Sequence, residues 1–243
     1  MSLREFYAPH YTQTDPAEGE RLGNWRAIGA ASKAAHVAAL YPTGGAVVEI
    51  GCGDGALLAA LSQRGIGSRL DGFEISPEAI ELARQKAMPR VERLEAYDGV
   101  RIPASDDAYD LAVLSHVVEH IPEPLPVLRE ARRLAPRVIV EVPLEANRSA
   151  RRPSVRAEAA RIGHVHAFDR RAVRELCARA GLEVVAELTD PLPLRHHAFF
   201  ASGAAARGKA ALKTFVRRTA FRASPLRAER LFTVHYACLA ARG

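Results

Sequence analysis

Cysteine is scarce in this 243-residue sequence, which contains only Cys52, Cys177 and Cys238. The three residues lie far apart, lack the short spacings of zinc sites, and cannot all pair with one another because their number is odd. A disulfide-rich secreted fold and a structural zinc domain are therefore excluded. We expect three reduced thiols.

Long apolar runs are also missing. No stretch approaches the ~18 uncharged apolar residues that a membrane span requires, and no N-terminal run resembles a signal peptide. We therefore expect a cytoplasmic protein. Apolar residues make up 48% of the chain and charged residues 26%, a balance typical of globular proteins with a buried core.

Acidic residues are nearly absent from the C-terminal segment. Residues 201–243 contain nine basic residues and one acid, Glu229. Such a segment can meet nucleic acid, an anionic membrane surface or an anionic substrate, or it can simply be a solvated helical face. Charge alone leaves all four interpretations open.

Helical spacing in the same segment puts apolar side chains on one face with cations around them. These side chains are Leu212, Phe215, Val216 and Ala220. We favour docking of this face on the domain as part of a lid. Peripheral contact with a membrane through residues 207–222 is the alternative.

Short β-branched runs alternate with stretches of helical periodicity, which indicates an α/β fold built from βαβ units around a mostly parallel sheet. The seven predicted strands are 46–50, 69–74, 91–96, 111–115, 137–142, 182–187 and 233–239. A helix is predicted to start at Ser76-Pro77-Glu78, which supplies a capping hydroxyl, a first-turn proline and an N-terminal acid.

Three segments interrupt the alternation: the N-terminal ~40 residues, 144–169 and 191–230. We expect a single domain over 1–243, with a helical cap at 1–40, a core at 41–190 and 231–243, and a basic helical insertion at 191–230. Ligands of open α/β sheets bind outside the carboxyl ends of the strands. Long insertions at that edge are typical of a substrate cap.

A glycine-rich loop follows the first predicted strand. Gly51, Gly53 and Gly55 allow a tight turn and close approach of a ligand to the backbone. Folds that bind nicotinamide cofactors use similar glycines, but their third glycine comes one residue later, where this chain has Ala56. Glu49 also occupies a position that those folds keep apolar. Both differences favour another cofactor.

Two acids follow the next strands. Glu74 ends the second strand, where its carboxylate can accept both hydrogens of a ribose diol. Asp98 follows the third strand, where it can accept from an adenine amino group, and Gly99 leaves room for the ring. Two acids at successive strand ends predict a site for an adenosine.

The order of these motifs resembles the class I S-adenosylmethionine-dependent methyltransferases, within the broad subgroup that includes quinone-biosynthesis enzymes. The resemblance covers most of residues 46–181. Its motifs are Glu-Ile-Gly-Cys-Gly-Asp-Gly, Gly-Phe-Glu-Ile-Ser-Pro-Glu, Tyr-Asp-Gly and Ala-Tyr-Asp-Leu-Ala-Val-Leu-Ser-His-Val-Val-Glu-His-Ile. It implies S-adenosylmethionine as cofactor and a Rossmann-like, doubly wound, three-layer sheet with an antiparallel last strand.

The resemblance also implies roles for individual residues. Gly51, Gly53, Ser115 and His116 would lie against the methionine part of the cofactor, and Glu74 would bind the ribose. Ile75 would pack on the adenine, whose amino edge Asp98 and Gly99 would border. The full set expected to bind the cofactor is Glu49, Gly51, Cys52, Gly53, Gly55, Glu74, Ile75, Asp98, Gly99, Ser115 and His116.

His116-Val-Val-Glu119-His120 also resembles the inverted motif of zinc peptidases, in which two histidines on one helical face bind the metal. We reject this interpretation, because the methyltransferase pattern accounts for the same residues and no third ligand is evident. No metal is predicted.

Transfer of a methyl group to a hydroxyl requires a base, and histidine suits that task. His116, near the cofactor, and His164, in the 144–169 insertion, are the preferred catalytic pair. His120, His166, His196 and His197 are the other candidates. Near the N-terminus, Tyr7, Tyr11, Arg21 and Trp25 could close over the cofactor, or could serve to pack a helix.

The sequence therefore predicts a methyltransferase for a small molecule, with an oxygen acceptor favoured over nitrogen or carbon. Arginines of the insertion hint at an anionic or sugar-like acceptor: Arg148, Arg151, Arg152 and Arg156. One alternative is RNA methylation through the basic segment, which lacks a stacking platform. Another is cofactor binding without turnover. Both a monomer and a homodimer are compatible with the pattern.

Overall fold

The computed structural model describes residues 3–12, 15–199 and 201–243. Its strands are β1 (Ala46–Ile50), β2 (Arg69–Glu74), β3 (Val91–Ala96), β4 (Leu111–Ser115), β5 (Arg137–Pro143), β6 (Leu182–Asp190) and β7 (His235–Arg242). Its α-helices are α1 (Leu3–Tyr11), α2 (Pro16–Leu40), α3 (Ala56–Gln63), α4 (Pro77–Arg84), α5 (Leu125–Leu134), α6 (Pro153–Arg161), α7 (Arg170–Arg179), α8 (Leu194–Ala198), α9 (Gly203–Ala223) and α10 (Pro225–Leu231).

The seven strands form one sheet in the order β3-β2-β1-β4-β5-β7-β6. Neighbours from β3 to β5 pair in parallel, whereas β7 runs antiparallel to both β5 and β6. The predicted doubly wound sheet with a reversed last strand is confirmed.

The first four strands have the predicted bounds, and the last three differ at their ends. β6 continues to Asp190 because its ladder with β7 extends to the pair Asp190 and His235. β7 begins at His235, two residues later than predicted, and continues to Arg242, which pairs with Leu182. In each case the neighbouring strand, which sequence periodicity does not reveal, decides where the strand ends.

Both faces of the sheet are buried, as expected of a mostly parallel sheet with helices on each side. Alternate residues of β1 point to opposite faces: Val48 and Ile50 join one apolar cluster, and Val47 joins the other. Helices α5 and α7 cover the first face. Helices α2 and α3 cover the second face. Helix α2, which the sequence assigns to an N-terminal cap, therefore also forms part of a helical layer against the sheet.

The predicted start of α4 is confirmed in detail. The Ser76 hydroxyl accepts a hydrogen bond of 3.2 Å from the Ala79 amide, and Pro77 occupies the first turn. This cap ends the connection from β2 within three residues, which holds the carboxyl end of β2 and the start of α4 close together.

Both long insertions leave from the edge of the sheet where the parallel strands end. The 144–169 segment contains α6 and is tied to the sheet edge by a bridge between Leu144 and Phe168. The 191–230 segment contains α8, α9 and α10 between β6 and β7. Within the described residues, no helix has both the length and the apolar character to cross a bilayer.

Candidate functional site

The loop between β1 and α3 is held tightly against β2. The amides of Gly51 and Cys52 both donate to the Phe73 carbonyl, at 2.7 and 3.2 Å. Gly51 has a φ of 76°, and a Cβ there would lie 2.6 Å from Val117. Glycine is therefore required here, because the backbone is left-handed and a side chain would clash with Val117.

Two other glycines of the loop have different neighbours. A Cβ on Gly53 would lie 2.9 Å from the Tyr11 hydroxyl, so α1 passes directly over the loop. Gly55 begins α3, and its Cβ position faces Ala83 and Met88. Gly55 thus lies where α3 packs beside α4 and lines neither cavity described below, and its contact with a cofactor stays a prediction.

Glu74 lies buried at the end of β2 and binds the loop through backbone amides. Its carboxylate accepts from Gly53 at 2.9 Å, from Ile75 at 2.8 Å and from Ser76 at 3.1 Å. Burial raises the pKa of Glu74, although these three donors oppose the shift. The carboxylate is thus fixed in position, with spare lone pairs that can accept from hydroxyl groups.

A cavity of about 210 Å³ opens beside Glu74. It is mostly apolar, as expected for a site that receives a flat ring. Its walls include Tyr7, Ile75, Tyr97, Gly99 and Val117. Ile75 and Gly99, the two residues predicted to border an adenine, thus line this cavity together with Tyr97 and the tyrosines of α1.

Asp98 is exposed and does not line this cavity, although its neighbours Tyr97 and Gly99 do. One of its carboxylate oxygens accepts from the amides of Val100 and Arg101, at 2.8 and 3.0 Å. These bonds hold its pKa below the usual value. The side chain therefore shapes the turn that carries Gly99, and its contact with an adenine stays a prediction.

A second cavity, of about 410 Å³, adjoins the first, and Tyr11, Gly51 and His116 line both. It also contacts the predicted residues Glu49, Cys52 and Ser115. Four buried polar atoms on its walls have no hydrogen-bond partner among the described residues: Glu49 Oε2, His116 Nε2 and both ring nitrogens of His196. Unpartnered polar atoms in a cavity mark a place where a ligand can bind.

The second cavity is lined by charged side chains of both signs, with the acids Glu49, Asp54 and Glu145 beside two cations. Arg26 and Lys33 of α2 line it. Arg26 bonds to Asp54 at 2.7 Å, and Lys86 reaches the same carboxylate at 2.9 Å. Burial alone would raise the pKa of Asp54, but the two cations outweigh it and lower that pKa.

Of the predicted N-terminal cluster, Tyr7, Tyr11 and Trp25 reach the cavities. Arg21 instead pairs on the surface with Glu18, at 2.8 Å, so the structure replaces Arg21 with Arg26 as the cation at the site. The two arginines lie on different sides of α2, because five residues separate them along the helix.

His116 directly follows β4 and has a φ of 58°, which is unusual for a residue with a side chain. Burial and the nearby Lys33 lower the pKa of His116 to about 3, so the ring is neutral near pH 7. His235, whose ring lies 4.9 Å from that of His116, is buried in the same way, and its pKa also falls to about 3.

A buried carboxylate organises the wall behind these histidines. Glu141 of β5 accepts from His36 at 2.9 Å and from the Ser115 hydroxyl at 2.9 Å. Burial opposes ionisation of Glu141, but the bond from His36 and the neighbouring histidines hold its pKa at about 2. For His36, bonds to Asp190 and Glu141 outweigh burial and raise the pKa to about 9. The pair is therefore ionic.

Sequence reasoning did not find Lys33, His36, Glu141 or His235. One signal was present for His235: an antiparallel last strand begins at the edge where the parallel strands end, so its first residue lies beside their carboxyl ends. Glu141 also gave a signal, because it is the one acid in the mostly apolar predicted strand 137–142.

His164, the other member of the predicted catalytic pair, also lines the second cavity. Its Nδ1 is 2.7 Å from Glu145, and its ring lies 4.7 Å from that of His120. Burial disfavours protonation of His164, but the bond to Glu145 prevails and raises its pKa above 6.5. His166 bonds instead to the backbone carbonyls of Ile121 and Pro122, outside the second cavity. His196 lines the cavity, and His197 does not.

The resemblance to a zinc-peptidase motif fails on geometry. Residues 118–120 form one 3₁₀ turn, so His116 and His120 do not share the face of an α-helix. One expectation is wrong: the sequence showed no third possible ligand, but His164 lies beside Glu119 and His120. Two sets of ligand atoms each lie within 4.8 Å of one another: Glu119, His120 and His164, and His116, Glu141 and His235.

The arginines of the first insertion do not line the second cavity. Arg151 and Arg156 border a separate surface groove, and Arg148 and Arg152 also lie outside the cavity. These arginines therefore lend no support to an anionic or sugar-like acceptor, which stays a prediction. The cations that do reach the cavity belong to α2.

The sheet order, the glycine loop after β1 and the carboxylate at the end of β2 define the class I methyltransferase fold. Residues 25–187 match the family described as "Methyltransferase domain". The match covers more than half of the chain, which therefore belongs to the family of class I S-adenosylmethionine-dependent methyltransferases. The quinone-biosynthesis subgroup is not specifically supported.

Similar proteins agree with this assignment. An uncharacterized methyltransferase of Mycobacterium leprae is 30% identical over 79 residues, which span 32% of this chain and only 29% of that protein. An S-adenosylmethionine-dependent methyltransferase of Thermotoga maritima has a TM-score of 0.65 at 17% identity, with full coverage of both chains.

A second solved structure is phosphoethanolamine N-methyltransferase 2 of Haemonchus contortus, in complex with phosphomonomethylethanolamine and S-adenosylhomocysteine. Its TM-score is 0.63 at 14% identity, over 100% of this chain and 60% of that chain. At such identities the likeness to both structures establishes the fold.

Proposed function

We propose that S-adenosylmethionine spans the two adjoining cavities, with its adenosine in the cavity beside Glu74. The ribose hydroxyls donate to Glu74, and the adenine packs on Ile75 with its amino edge toward Asp98 and Gly99. The methionine part lies along Gly51 and Gly53. The sulfonium methyl then faces the second cavity, because that cavity meets the first at Gly51 and His116.

The acceptor in this proposal is a small molecule. The junction of the two cavities supports a small acceptor. At this junction the expected methyl position faces the second cavity, which has a volume of about 410 Å³. That volume suits a metabolite. The helical segments 1–40 and 144–169 form a cap over it, within a single methyltransferase domain.

We favour an oxygen nucleophile, because the second cavity offers a base. His164 is the better suited member of the predicted pair, since Glu145 at 2.7 Å stabilises the imidazolium that forms when the ring takes a proton. His116, neutral and with Nε2 unpartnered, accepts a hydrogen bond from the acceptor and positions it. His164 pairs with Glu145 at 2.7 Å, and the proposal includes no metal.

The pH dependence of methyl transfer tests the role of His164. A base must be deprotonated to act, so the rate should rise with pH through an apparent pKa above 6.5. Removing the carboxylate removes the cause of the raised pKa, so Glu145→Gln should move that inflection to lower pH. His164→Ala should lower kcat by about a hundredfold or more.

The measurement uses S-adenosylmethionine with a labelled methyl group and a panel of phenols, catechols and sugars, with NMR identification of the methylated atom. His166→Ala is the matched control, because this histidine lies two residues away and outside the cavity, and it should keep near-normal kcat. An N-methylated or C-methylated product, or a normal kcat in His164→Ala, contradicts the assignment of an oxygen acceptor and its base.

RNA methylation through the basic segment is the rival proposal, and it predicts RNA binding that weakens steeply with added salt. Cofactor binding without turnover is the other rival. It is favoured if the protein binds S-adenosylmethionine but methylates no compound of the panel.

A further inference from the structure

Helix α9 docks on the domain with one face only. Ala210 and Thr214 are buried, and Ala220 and Phe221 pack close to or against the apolar core. Arg217 lies on the same side, with its guanidinium 5.1 Å from the centre of the Phe232 ring. The residues of this inner face lie three or four positions apart along the chain, as residues on one side of a helix do.

The opposite face of α9 is largely apolar and exposed. Leu212 is 64% exposed, Phe215 67% and Val216 55%. Together with the exposed Thr219, whose side chain carries a methyl group, these residues follow the spacing i, i+3, i+4 and i+7, which makes a continuous stripe along the helix. The structure thus corrects the preferred expectation that Leu212, Phe215 and Val216 dock on the domain as part of a lid.

Cations border the stripe on both sides. Lys209 and Lys213 lie along one side, and Arg218 and Arg222 along the other, as the helical angle of 100° per residue dictates. Helix α9 contains no acidic residue. The one acid after Asp190 is Glu229, which already pairs with Arg170.

The cations of this region crowd one another. Burial and the positive charges of Arg217 and Arg152 lower the pKa of Lys213. Burial and Arg152 likewise lower the pKa of Arg217. A partner that brings negative charge to this surface would relieve the repulsion between them.

We propose that the exposed face of α9 docks on an anionic membrane surface, with Leu212, Phe215 and Val216 inserted among the acyl chains and the flanking lysines and arginines on the lipid headgroups. An apolar stripe bordered by cations on a helix that lies flat is the pattern of an interfacial helix. This inference goes beyond the proposed function and does not depend on it.

The same surface fits two other partners less well. A second copy of this chain, related by a two-fold axis through the stripe, would bring the lysines and arginines of both copies together without any acid to pair with them. RNA would satisfy the cations, but it would leave the three large apolar side chains without a partner, because the stripe contains no aromatic pair on which bases could stack.

Binding of the full chain to vesicles tests the inference. Vesicles of phosphatidylcholine are compared with vesicles of an equimolar mixture of phosphatidylcholine and phosphatidylglycerol, by sedimentation at low and high salt. We expect the partition coefficient for the mixed vesicles to exceed that for the neutral vesicles by about tenfold or more, and to fall with added salt.

Two variants separate the apolar and ionic contributions. The double substitution Leu212→Ser and Phe215→Ser should lower binding to mixed vesicles by about tenfold or more. The double substitution Lys209→Glu and Arg218→Glu should lower binding to mixed vesicles to a similar extent. Because all four side chains are exposed, the circular dichroism spectrum and melting temperature should be unchanged.

Matched controls use exposed residues elsewhere. Val100→Ser with Val185→Ser removes apolar side chains that are 73% and 57% exposed, and Arg129→Glu with Arg179→Glu reverses two exposed charges. Both controls should bind like the parent chain. The inference is overturned if mixed vesicles bind no better than neutral ones, if the α9 variants bind like the controls, or if the α9 variants instead abolish a dimer or RNA binding.

Discussion

Glu74 has two tasks at the end of β2. Its carboxylate fixes the glycine loop through the Gly53 amide, and in the proposed complex it also accepts from the ribose hydroxyls. A hydrogen bond in a buried site is stronger than the same bond in water, so loss of the carboxylate should lower the affinity for the cofactor.

We predict that Glu74→Ala weakens binding of S-adenosylmethionine by about tenfold or more, equivalent to at least ~1.4 kcal/mol. Glu74→Gln, which keeps one oxygen, should have an intermediate effect. Isothermal titration calorimetry measures both. Glu81→Ala, on the exposed surface of α4, is the control, and melting curves separate lost binding from lost folding. Unchanged affinity in a folded Glu74→Ala protein would show that the ribose lies elsewhere.

At the scale of residues, the sequence predicted the groups that follow strand ends more completely than the groups that α2 brings to the site. Glu74, Ile75 and His116 were predictable because a parallel strand always delivers its last residues to the ligand edge. Lys33 and His36 could not be found in this way. They lie on α2, and only the packing of α2 against the sheet brings His36 to Glu141, 105 residues later in the chain.

At the scale of elements, α1 is the most exposed part of the candidate site. It contributes no buried residue, yet Tyr7 and Tyr11 form one wall of the cavity beside Glu74. Its main tertiary neighbour is α4. A helix with so little buried surface can open and close at small cost in free energy.

Removal of residues 1–12 should therefore speed dissociation of S-adenosylmethionine and raise Kd by about tenfold, with little change in melting temperature. Stopped-flow measurement of the dissociation rate tests this, and Thr12→Ala, an exposed residue just after the helix, is the control. If the truncated chain releases the cofactor at the normal rate, α1 is not part of its site.

The strands illustrate which bounds a sequence can give. β1 and β4 are short, mostly apolar runs, and Gly45 and Asp110 directly precede them, so the local pattern marks where they begin. β7 has no such boundary: the apolar pattern starts at Thr233, but hydrogen bonding starts at His235, where β5 and β6 supply partners on both sides. Long-range pairing thus overrides the local pattern.

At the scale of the whole molecule, buried histidines make stability depend on pH on both sides of neutrality. His116 and His235 have a pKa of about 3 when folded and 6.5 when unfolded. Between these values the unfolded chain binds more protons, so the free energy of unfolding falls as pH decreases from 6.5. Each histidine contributes a slope of up to about 1.4 kcal/mol per pH unit.

His36 acts in the opposite direction. Its pKa of about 9 when folded exceeds 6.5, so its stabilising pairing with Glu141 is fully present below pH 6.5 and is lost as pH rises through 9. The melting temperature should therefore be highest near pH 6.5 and fall on both sides. Glu141, whose pKa is about 2, adds further acid sensitivity only below pH 4.5.

Thermal melts from pH 5 to pH 9 test this pattern. His235→Asn should flatten the acid limb, and His36→Gln should flatten the alkaline limb. A melting temperature independent of pH would mean that these histidines are not buried as described.

The basic segment shows why charge alone could not assign its role. The nine cations of 201–243 are compatible with several partners, and helical spacing suggested that its apolar side chains face the domain. Ala210 and Thr214 dock instead, because small side chains allow α9 to approach its neighbours closely, and the larger Leu212 and Phe215 are left outside.

The location of the transferred methyl group is the central claim, and a crystal structure with S-adenosylhomocysteine tests it most directly. We predict the ribose on Glu74, the adenine between Ile75 and Gly99, and the sulfur at Gly51 and His116, facing the cavity that contains His164. A sulfur atom that points away from this cavity, or an adenosine bound elsewhere than beside Glu74, would contradict the account.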